Sequence, residues 1–364
     1  MEGVRAVVGK RGNRKADKQR AVERERRRRL SGDGQPDLPL GLRRHPSGRP
    51  DFTNVPWGDL SAHDAHRLKR AMLIAYVGDQ ARQANDFLEW GLKPRPVESG
   101  SRFAHDDDAI SLHDAPNLIS STARYPAMNA TENLVAAAQV IAFAITKAQL
   151  RTSAVSVLCR TAMESSAKTI WLISEADPAE RRRRCFGFIK SERGWQEQFD
   201  KIEAETLAAR TDHLVAAERV KFQKHRKQFE KRLKQITDLP TAERVAPPKF
   251  TPVVEYAADW VDANMPRQPT PDLDLVMMPR GAKSFYSLGS GFVHGYKWAT
   301  DYVDDDVDLL EMTVDAFGSA LRMTEAAVTL FEAQSVGPQP DALRIRNYPA
   351  GLADTVSDWA ARYI

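Results

Sequence analysis

Cysteine and long hydrophobic runs are both scarce in this 364-residue chain. It has only two cysteines, Cys159 and Cys185, which excludes a disulfide scaffold and favours a reducing, cytoplasmic setting. The longest apolar run, residues 134–145, spans 12 residues and includes Gln139, whereas a helix needs about 20 residues to cross a bilayer. We therefore expect no membrane span, and we expect no secretory signal.

Several catalytic sequence patterns are missing as well. The chain has no Gly-rich phosphate loop, zinc-ligand spacing or nucleophile elbow, so we expect no cofactor.

The sequence has no alternating apolar and polar pattern that would predict a sheet. Residues 127–177 contain neither proline nor glycine, and their Ala, Leu, Val and Ile content predicts two central helices over 130–148 and 152–174. The expected fold class is all-α.

The charge divides the chain into an arm and a body. Residues 1–50 hold 15 Lys or Arg against 6 Asp or Glu, a balance of +9 within a net charge of +4. We predict a disordered basic arm there, which is either a solvated tail or a segment that contacts nucleic acid electrostatically.

A helical domain is expected over 55–335. Its first helix should begin near Ser61, with Asp64 as the capping partner. Residues 336–364 predict a tail with a short amphipathic helix.

Residues 179–236 predict a long antiparallel helical hairpin, followed by a Pro-rich connection over 237–283. Two rows of apolar residues at intervals of seven predict the seam between its helices. These rows are Phe188, Trp195, Ile202 and Ala209, reinforced by Phe199, and Val215, Phe222, Phe229 and Ile236. The second helix is basic over 219–234, which is typical of a solvated outer face or, alternatively, of a nucleic-acid surface.

Acidic residues and histidines are concentrated in the segment 105–114. It contains His105, the triplet Asp106, Asp107 and Asp108, and then His113 and Asp114. A metal-dependent enzyme could use His105, Asp108 and His113, but their spacing matches no known ligand signature. We expect a solvated loop and no metal.

Polar residues interrupt two apolar helical segments. Arg160 and Glu164 are four residues apart and share a helix face. Tyr286, Ser290 and His294 repeat the same spacing in a second segment. That segment also holds Gly289, Gly291 and Gly295, whose helix-weakening effect is explained if another backbone or a ligand approaches closely.

Two short motifs resemble a group of uncharacterised bacterial helical proteins that is similar in turn to the HEPN superfamily. The first is the Arg160-x-x-x-Glu164 helix with Trp171-Leu172 and the run Asp177-Pro178-Ala179-Glu180-Arg181, and the second is the segment from Tyr286 to Gly295. The resemblance covers residues 130–335. It implies a HEPN-like helical bundle, a homodimer, and RNA binding or metal-independent RNA cleavage in stress or phage defence.

The resemblance also assigns chemical roles. His294 would move the proton of a ribose 2′-hydroxyl, Arg160 would stabilise charge on the phosphoryl oxygens, and Glu164 would orient one of them. Tyr286 or Ser290 would contact the substrate. HEPN ribonucleases place an arginine four to six residues before the histidine, whereas the nearest preceding arginine here is Arg280, so Arg160 would have to act from the other helix.

The alternative is a non-enzymatic interaction or scaffold protein. In that interpretation Arg160, Glu164 and His294 form a satisfied polar cluster that fixes how two helices pack. Breaking such a cluster would destabilise the fold because an unpaired charge would remain.

Overall fold

The computed structural model of the chain describes residues 55–110, 117–147, 149, 152–266, 278–338 and 346–363, and these contain no strand. The all-α expectation is confirmed for this part of the chain. The predicted basic arm, residues 1–50, lies outside the described residues. The α-helices are α1 (Ala62–Asn85), α2 (Leu88–Leu92), α3 (Arg102–Asp108), α4 (Leu118–Lys147), α5 (Thr152–Ile173), α6 (Pro178–Ala209), α7 (Val215–Thr237), α8 (Phe250–Asn264), α9 (Met278–Val293), α10 (Asp306–Ser335) and α11 (Ala353–Tyr363).

The chain divides into two compact units, residues 1–75 and residues 76–364. In the described part of the first unit, α1 begins directly after Ser61. The Ser61 Oγ accepts a hydrogen bond from the Asp64 backbone N–H (3.1 Å) and donates one to the Asp64 carboxylate (2.7 Å). Because a side-chain acceptor at this position satisfies an otherwise unpaired N–H, the helix starts where the sequence predicts.

The core of the second unit is built from α4, α5 and α10. Helix α5 lies between the other two, and Cys159, Met163 and Ile170 along it are fully buried. By length and composition α4 is the one described helix that could cross a bilayer, but a core helix of a soluble protein meets the same criteria. The apolar stretch without proline or glycine thus forms the two long helices expected from it.

Helix α4 starts twelve residues earlier than the sequence pattern indicates, because Asp107 caps it. The Asp107 Oδ1 accepts hydrogen bonds from the backbone N–H groups of Ile119 (2.7 Å) and Ser120 (3.2 Å), and its Oδ2 accepts one from the Ser120 hydroxyl (2.6 Å). A carboxylate at a helix N-terminus also complements the helix dipole. Pro126 is accommodated inside the helix.

A buried ion pair ties α6 to α3. The Arg181 side chain is fully buried, and its Nε and Nη2 donate to the two carboxylate oxygens of Asp106 at 2.8 and 2.9 Å. Its Nη1 donates to the backbone oxygens of Glu175 and Ala176 at 2.6 and 2.9 Å, in the turn between α5 and α6. Three elements therefore meet at one guanidinium.

The expectation of a solvated loop over 105–114 is wrong for its first part. Residues Arg102–Asp108 form α3, and Asp106 and Asp107 are buried because one holds Arg181 and the other caps α4. Their carboxylates are committed to protein partners. His113 and Asp114 lie outside the described residues.

Helices α6 and α7 form an antiparallel pair over the segment where a hairpin is predicted. At one end the Arg193 guanidinium lies 5.9 Å from the Phe229 ring centroid, and at the other Arg219 donates to the Leu207 carbonyl at 2.6 Å. On α7 the predicted row is in the seam, since Val215, Phe229 and Ile236 are buried.

The predicted seam row on α6 is wrong. Phe188 is buried, but Trp195 and Ile202 are 64% and 62% exposed, and Phe199 is 61% exposed. Helix α6 faces α7 with a row that includes Arg193 and Leu207, which lies about 120° around the helix from the exposed residues. The apolar stem of Arg193 and its contact with the Phe229 ring allow a charged residue to occupy this seam.

The short helix that the sequence predicts at about 253–263, inside the connection over 237–283, is confirmed as α8, which occupies residues 250–264. Helix α9 begins at Met278, six residues before the start near residue 284 that the periodicity predicts. Residues 267–277 lie outside the described part. In the C-terminal tail, α11 packs on α10 and on α8, where the Trp359 and Trp260 rings meet edge to face with centroids 5.1 Å apart.

We expect Arg181→Met to destabilise the protein strongly, because it leaves the buried Asp106 carboxylate without its main partner. Loss of one member of a buried pair lowers the free energy of unfolding by about 3–5 kcal/mol. Urea unfolding followed by circular dichroism measures it. Arg182→Met, one position along, is the matched control and should change stability by less than about 0.5 kcal/mol; equal losses in the two variants would contradict the role of the pair.

Candidate functional site

Three of the residues predicted from the sequence meet between α5 and α9. Arg160 and Glu164 lie one turn apart on α5, with the Arg160 Nη2 3.5 Å from the Glu164 Oε1. Tyr286 on α9 reaches both of them: its hydroxyl accepts a hydrogen bond from Arg160 Nη2 (3.2 Å) and donates one to the Glu164 carboxylate. The phenol therefore bridges the two charged groups, and we name Arg160, Glu164 and Tyr286 the polar cluster.

The polar cluster is largely closed to solvent. Tyr286 is 3% exposed, and the side chains of Arg160 and Glu164 are 15% and 21% exposed. Burial, reinforced by the Glu164 carboxylate, raises the pKa of the Tyr286 hydroxyl well above its ordinary value. The phenol therefore stays protonated and acts as a hydrogen-bond donor over the whole physiological range.

The aromatic ring of Tyr286 also engages Arg160. The Arg160 guanidinium carbon lies 4.3 Å from the ring centroid, within the range of a cation–π contact. A Cβ atom added at Gly289, one turn further along α9, would lie in ordinary contact distance of the Arg160 stem. Two faces of the Arg160 side chain are thus occupied by α9, which is the arrangement of a helix–helix contact.

His294 does not join the polar cluster. It is exposed, and its ring packs against Tyr296, with centroids 5.5 Å apart. His294 follows Tyr286 by eight residues and therefore lies about 12 Å further along the helix axis. No hydrogen bond or ion pair links its imidazole to Arg160 or Glu164 in the described structure, so the expected common pocket of guanidinium, carboxylate and imidazole is not formed.

The position of His294 is explained by the end of α9. The Gly295 N–H donates to the Phe292 carbonyl (3.2 Å), the Tyr296 N–H donates to the Gly291 carbonyl (2.8 Å), and Gly295 has a φ of +65°. These two bonds form a Schellman motif, in which a left-handed glycine ends the helix. His294 is therefore the C-cap residue of α9. Ser290, half-buried, contributes its carbonyl to the His294 N–H (3.0 Å).

Gly291 is required by a close approach such as the sequence predicts, but the approaching groups are the side chains of Ala299 and Trp298. A Cβ atom at this position would lie 2.9 Å from the Ala299 Cβ and 2.9 Å from the Trp298 ring. Ala299 is fully buried and cannot move aside. The approaching group is thus the segment that follows α9, and no ligand is needed to explain this glycine.

A second candidate surface is the basic helix α7. It carries eight Lys or Arg and two Glu, and all eight cations are exposed. Lys224, Lys227, Lys231 and Lys234 follow one another at intervals of three or four and share the face opposite the α6 seam. We name these four the lysine row; it extends about 15 Å along the helix.

Comparison of the chain with protein families, with curated proteins and with solved structures finds no match.

We expect Gly291→Ala and Gly281→Ala, both on α9, to change stability in opposite directions. Gly291→Ala overpacks the contact with Ala299 and should lower the free energy of unfolding by about 1–3 kcal/mol. Gly281 has open space around its position, so Gly281→Ala should raise stability by about 0.5–1 kcal/mol through its higher helix propensity. Thermal and urea unfolding measure both; a neutral Gly291→Ala would show that the space is free for a ligand.

Proposed function

We propose that this chain is an RNA-binding helical protein of the HEPN-like kind. In this proposal the lysine row of α7, together with the basic arm over 1–50, supplies electrostatic affinity for the phosphate backbone. The polar cluster fixes the contact between α5 and α9 and takes no part in RNA cleavage. The observation that carries the proposal is the exposure of all eight cations of α7.

The distribution of charge supports this role. Beyond residue 50 the chain carries 38 Lys or Arg against 43 Asp or Glu, a balance of −5, yet α7 alone has eight cations and two acids. A basic helix on an otherwise acidic body concentrates the attraction for phosphate in one place. Lys224 and Lys227 in particular make no ion pair with the described residues, so their charges are available to a ligand.

The polar cluster supports binding without cleavage. Arg160 is held by Tyr286 and Glu164, and His294 lies about two helical turns beyond Tyr286, at the end of α9. A general base must come within hydrogen-bond reach of the proton that it abstracts, and charge stabilisation must reach the same phosphoryl group. The exposure of His294, with no described hydrogen bond to Arg160 or Glu164, favours the structural interpretation of the cluster.

The two cysteines are consistent with a cytoplasmic protein. Cys159 and Cys185 are both free and buried. Burial raises the pKa of the Cys185 thiol to about 12 and that of Cys159 also well above its ordinary value. Both thiols therefore remain protonated and unreactive near neutral pH, and we propose no catalytic or metal-binding role for them.

We expect loss of the lysine row to weaken RNA binding and its dependence on salt. The variant Lys224→Gln/Lys227→Gln/Lys231→Gln/Lys234→Gln is compared with the wild-type chain by fluorescence anisotropy on a labelled single-stranded RNA, in EDTA, over a range of salt concentrations. Each lost phosphate contact lowers the slope of log K against log salt by about 0.7, so the slope should fall by about 3 and the affinity by at least tenfold.

The control carries the same charge change elsewhere. Lys147, Lys190, Lys201 and Lys283 are exposed and lie outside α7, and replacing these four by Gln should reduce affinity far less. Equal losses in the two variants would show that net charge alone attracts RNA. Gel electrophoresis of the same samples should show intact RNA, and cleavage that disappears in His294→Ala would contradict the non-catalytic proposal.

A further inference from the structure

The second half of α6 presents an apolar stripe to solvent. Trp195, Phe199 and Ile202 are spaced by four and three residues and so lie along one side of the helix. Each of them is more than 60% exposed. Single exposed hydrophobic residues are ordinary, but a contiguous patch of large ones marks an interaction surface. We name these three residues the α6 apolar stripe.

Helix α7 does not cover the stripe. Beyond Ile189, Leu207 is the one buried residue of α6, a helix that the structure describes from end to end. Leu207 and Arg193 face α7, and they lie about 120° around the helix from the stripe. The stripe is therefore a helix face that has no partner within the described part of the second compact unit.

The positions that border the stripe carry acids and amides and no cation. If Trp195 and Ile202 are placed at heptad position d, Phe199 is at position a. The flanking e and g positions are then Gln196, Gln198, Glu203 and Glu205. Glu203 follows Phe199 by one turn and lies on one edge of the stripe. Glu205 follows Ile202 by one turn and lies on the other edge, so both edges are acidic.

We propose that the α6 apolar stripe binds an amphipathic helix of a partner protein whose own apolar face is bordered by lysines or arginines. This inference is independent of the proposed RNA binding. Such a helix would remove three large apolar side chains from water. Its cations would pair with Glu203 and Glu205, because charges at e and g positions select the partner of a paired helix. The stripe is one helix wide, so the contact belongs to the small interfaces of transient assemblies.

The charges disfavour RNA and a second copy of this chain on the stripe. Residues 191–209 carry five acidic and two basic side chains, and this surplus of carboxylates repels a phosphate backbone. A second copy brings no cation at the four flanking positions. Arg210, the next cation along the chain, is held by Asp212 at 2.8 Å. The complementary cations must therefore come from a different protein.

Fluorescence anisotropy on the full chain tests the proposal with a designed probe. The probe is a labelled peptide of three heptads with Leu at a and d, Lys at e and g, and Ala elsewhere. Phe199→Ser/Ile202→Ser should weaken its binding at least about tenfold, with an unchanged circular dichroism spectrum because both residues are exposed. Leu214→Ser/Val220→Ser is the matched control, since it removes two exposed apolar side chains of the same hairpin, and it should bind as the wild-type chain does.

Charge reversal tests the pairing at the edges. Glu203→Lys/Glu205→Lys should weaken binding of the Lys-bordered probe at least about tenfold and strengthen binding of a probe that has Glu at e and g. Glu197→Lys/Glu218→Lys makes the same change of charge at two exposed positions of the hairpin outside the four flanking positions, and its effect should be far smaller. Equal effects of the two variants would show that overall charge attracts the probe and would overturn the proposal.

Other occupants of the stripe give different results. A loss of RNA affinity in Phe199→Ser/Ile202→Ser would show that the stripe stacks bases. A wild-type dimer in sedimentation velocity that this variant abolishes would place a second copy there. Either result, or wild-type affinity for the Lys-bordered probe in the variant, would overturn the proposal. Loss of the probe with unchanged RNA affinity supports it and is separate from the fate of the RNA-binding proposal.

Discussion

The buried Arg181 guanidinium is the constraint from which much of this fold follows. It binds Asp106 of α3 and two backbone oxygens in the turn after α5, so it fixes the point and direction at which α6 leaves the core. A buried charge is tolerated only when its hydrogen-bonding groups are all paired. The hairpin that carries the lysine row is therefore anchored to the core through Arg181.

Between α5 and α9, Arg160 has a structural use, although its buried Nη1 has no hydrogen-bond partner in the described structure. Its charge is shared between a carboxylate on its own helix and a tyrosine on α9, and this leaves α5 and α9 in a fixed register. In our proposal the residues of the polar cluster serve helix packing, and the surface that recognises a ligand lies on α7.

Much of the architecture could be predicted from the sequence, and the failures have identifiable causes. The start of α1 and the apolar helices α4 and α5 followed from local signals: a capping pair, or uninterrupted apolar sequence. The roles of Asp106, Asp107 and His294 could not be predicted, because a carboxylate that pairs across 75 residues has no local signature and a histidine before a helix-ending glycine looks the same as a catalytic one. On α6, heptad spacing identified a real apolar stripe but not the surface that it faces.

The most direct test of the account is to find where RNA touches the protein. Cross-linking the full chain to an RNA that contains 4-thiouridine, followed by mass spectrometry of the peptides, reports contacts without any substitution. We predict that within residues 55–363 the cross-linked peptides come mainly from 215–237, the segment of α7. Cross-links concentrated instead on the α5 and α9 segments around Arg160 and His294 would contradict the account and restore a catalytic interpretation of the polar cluster.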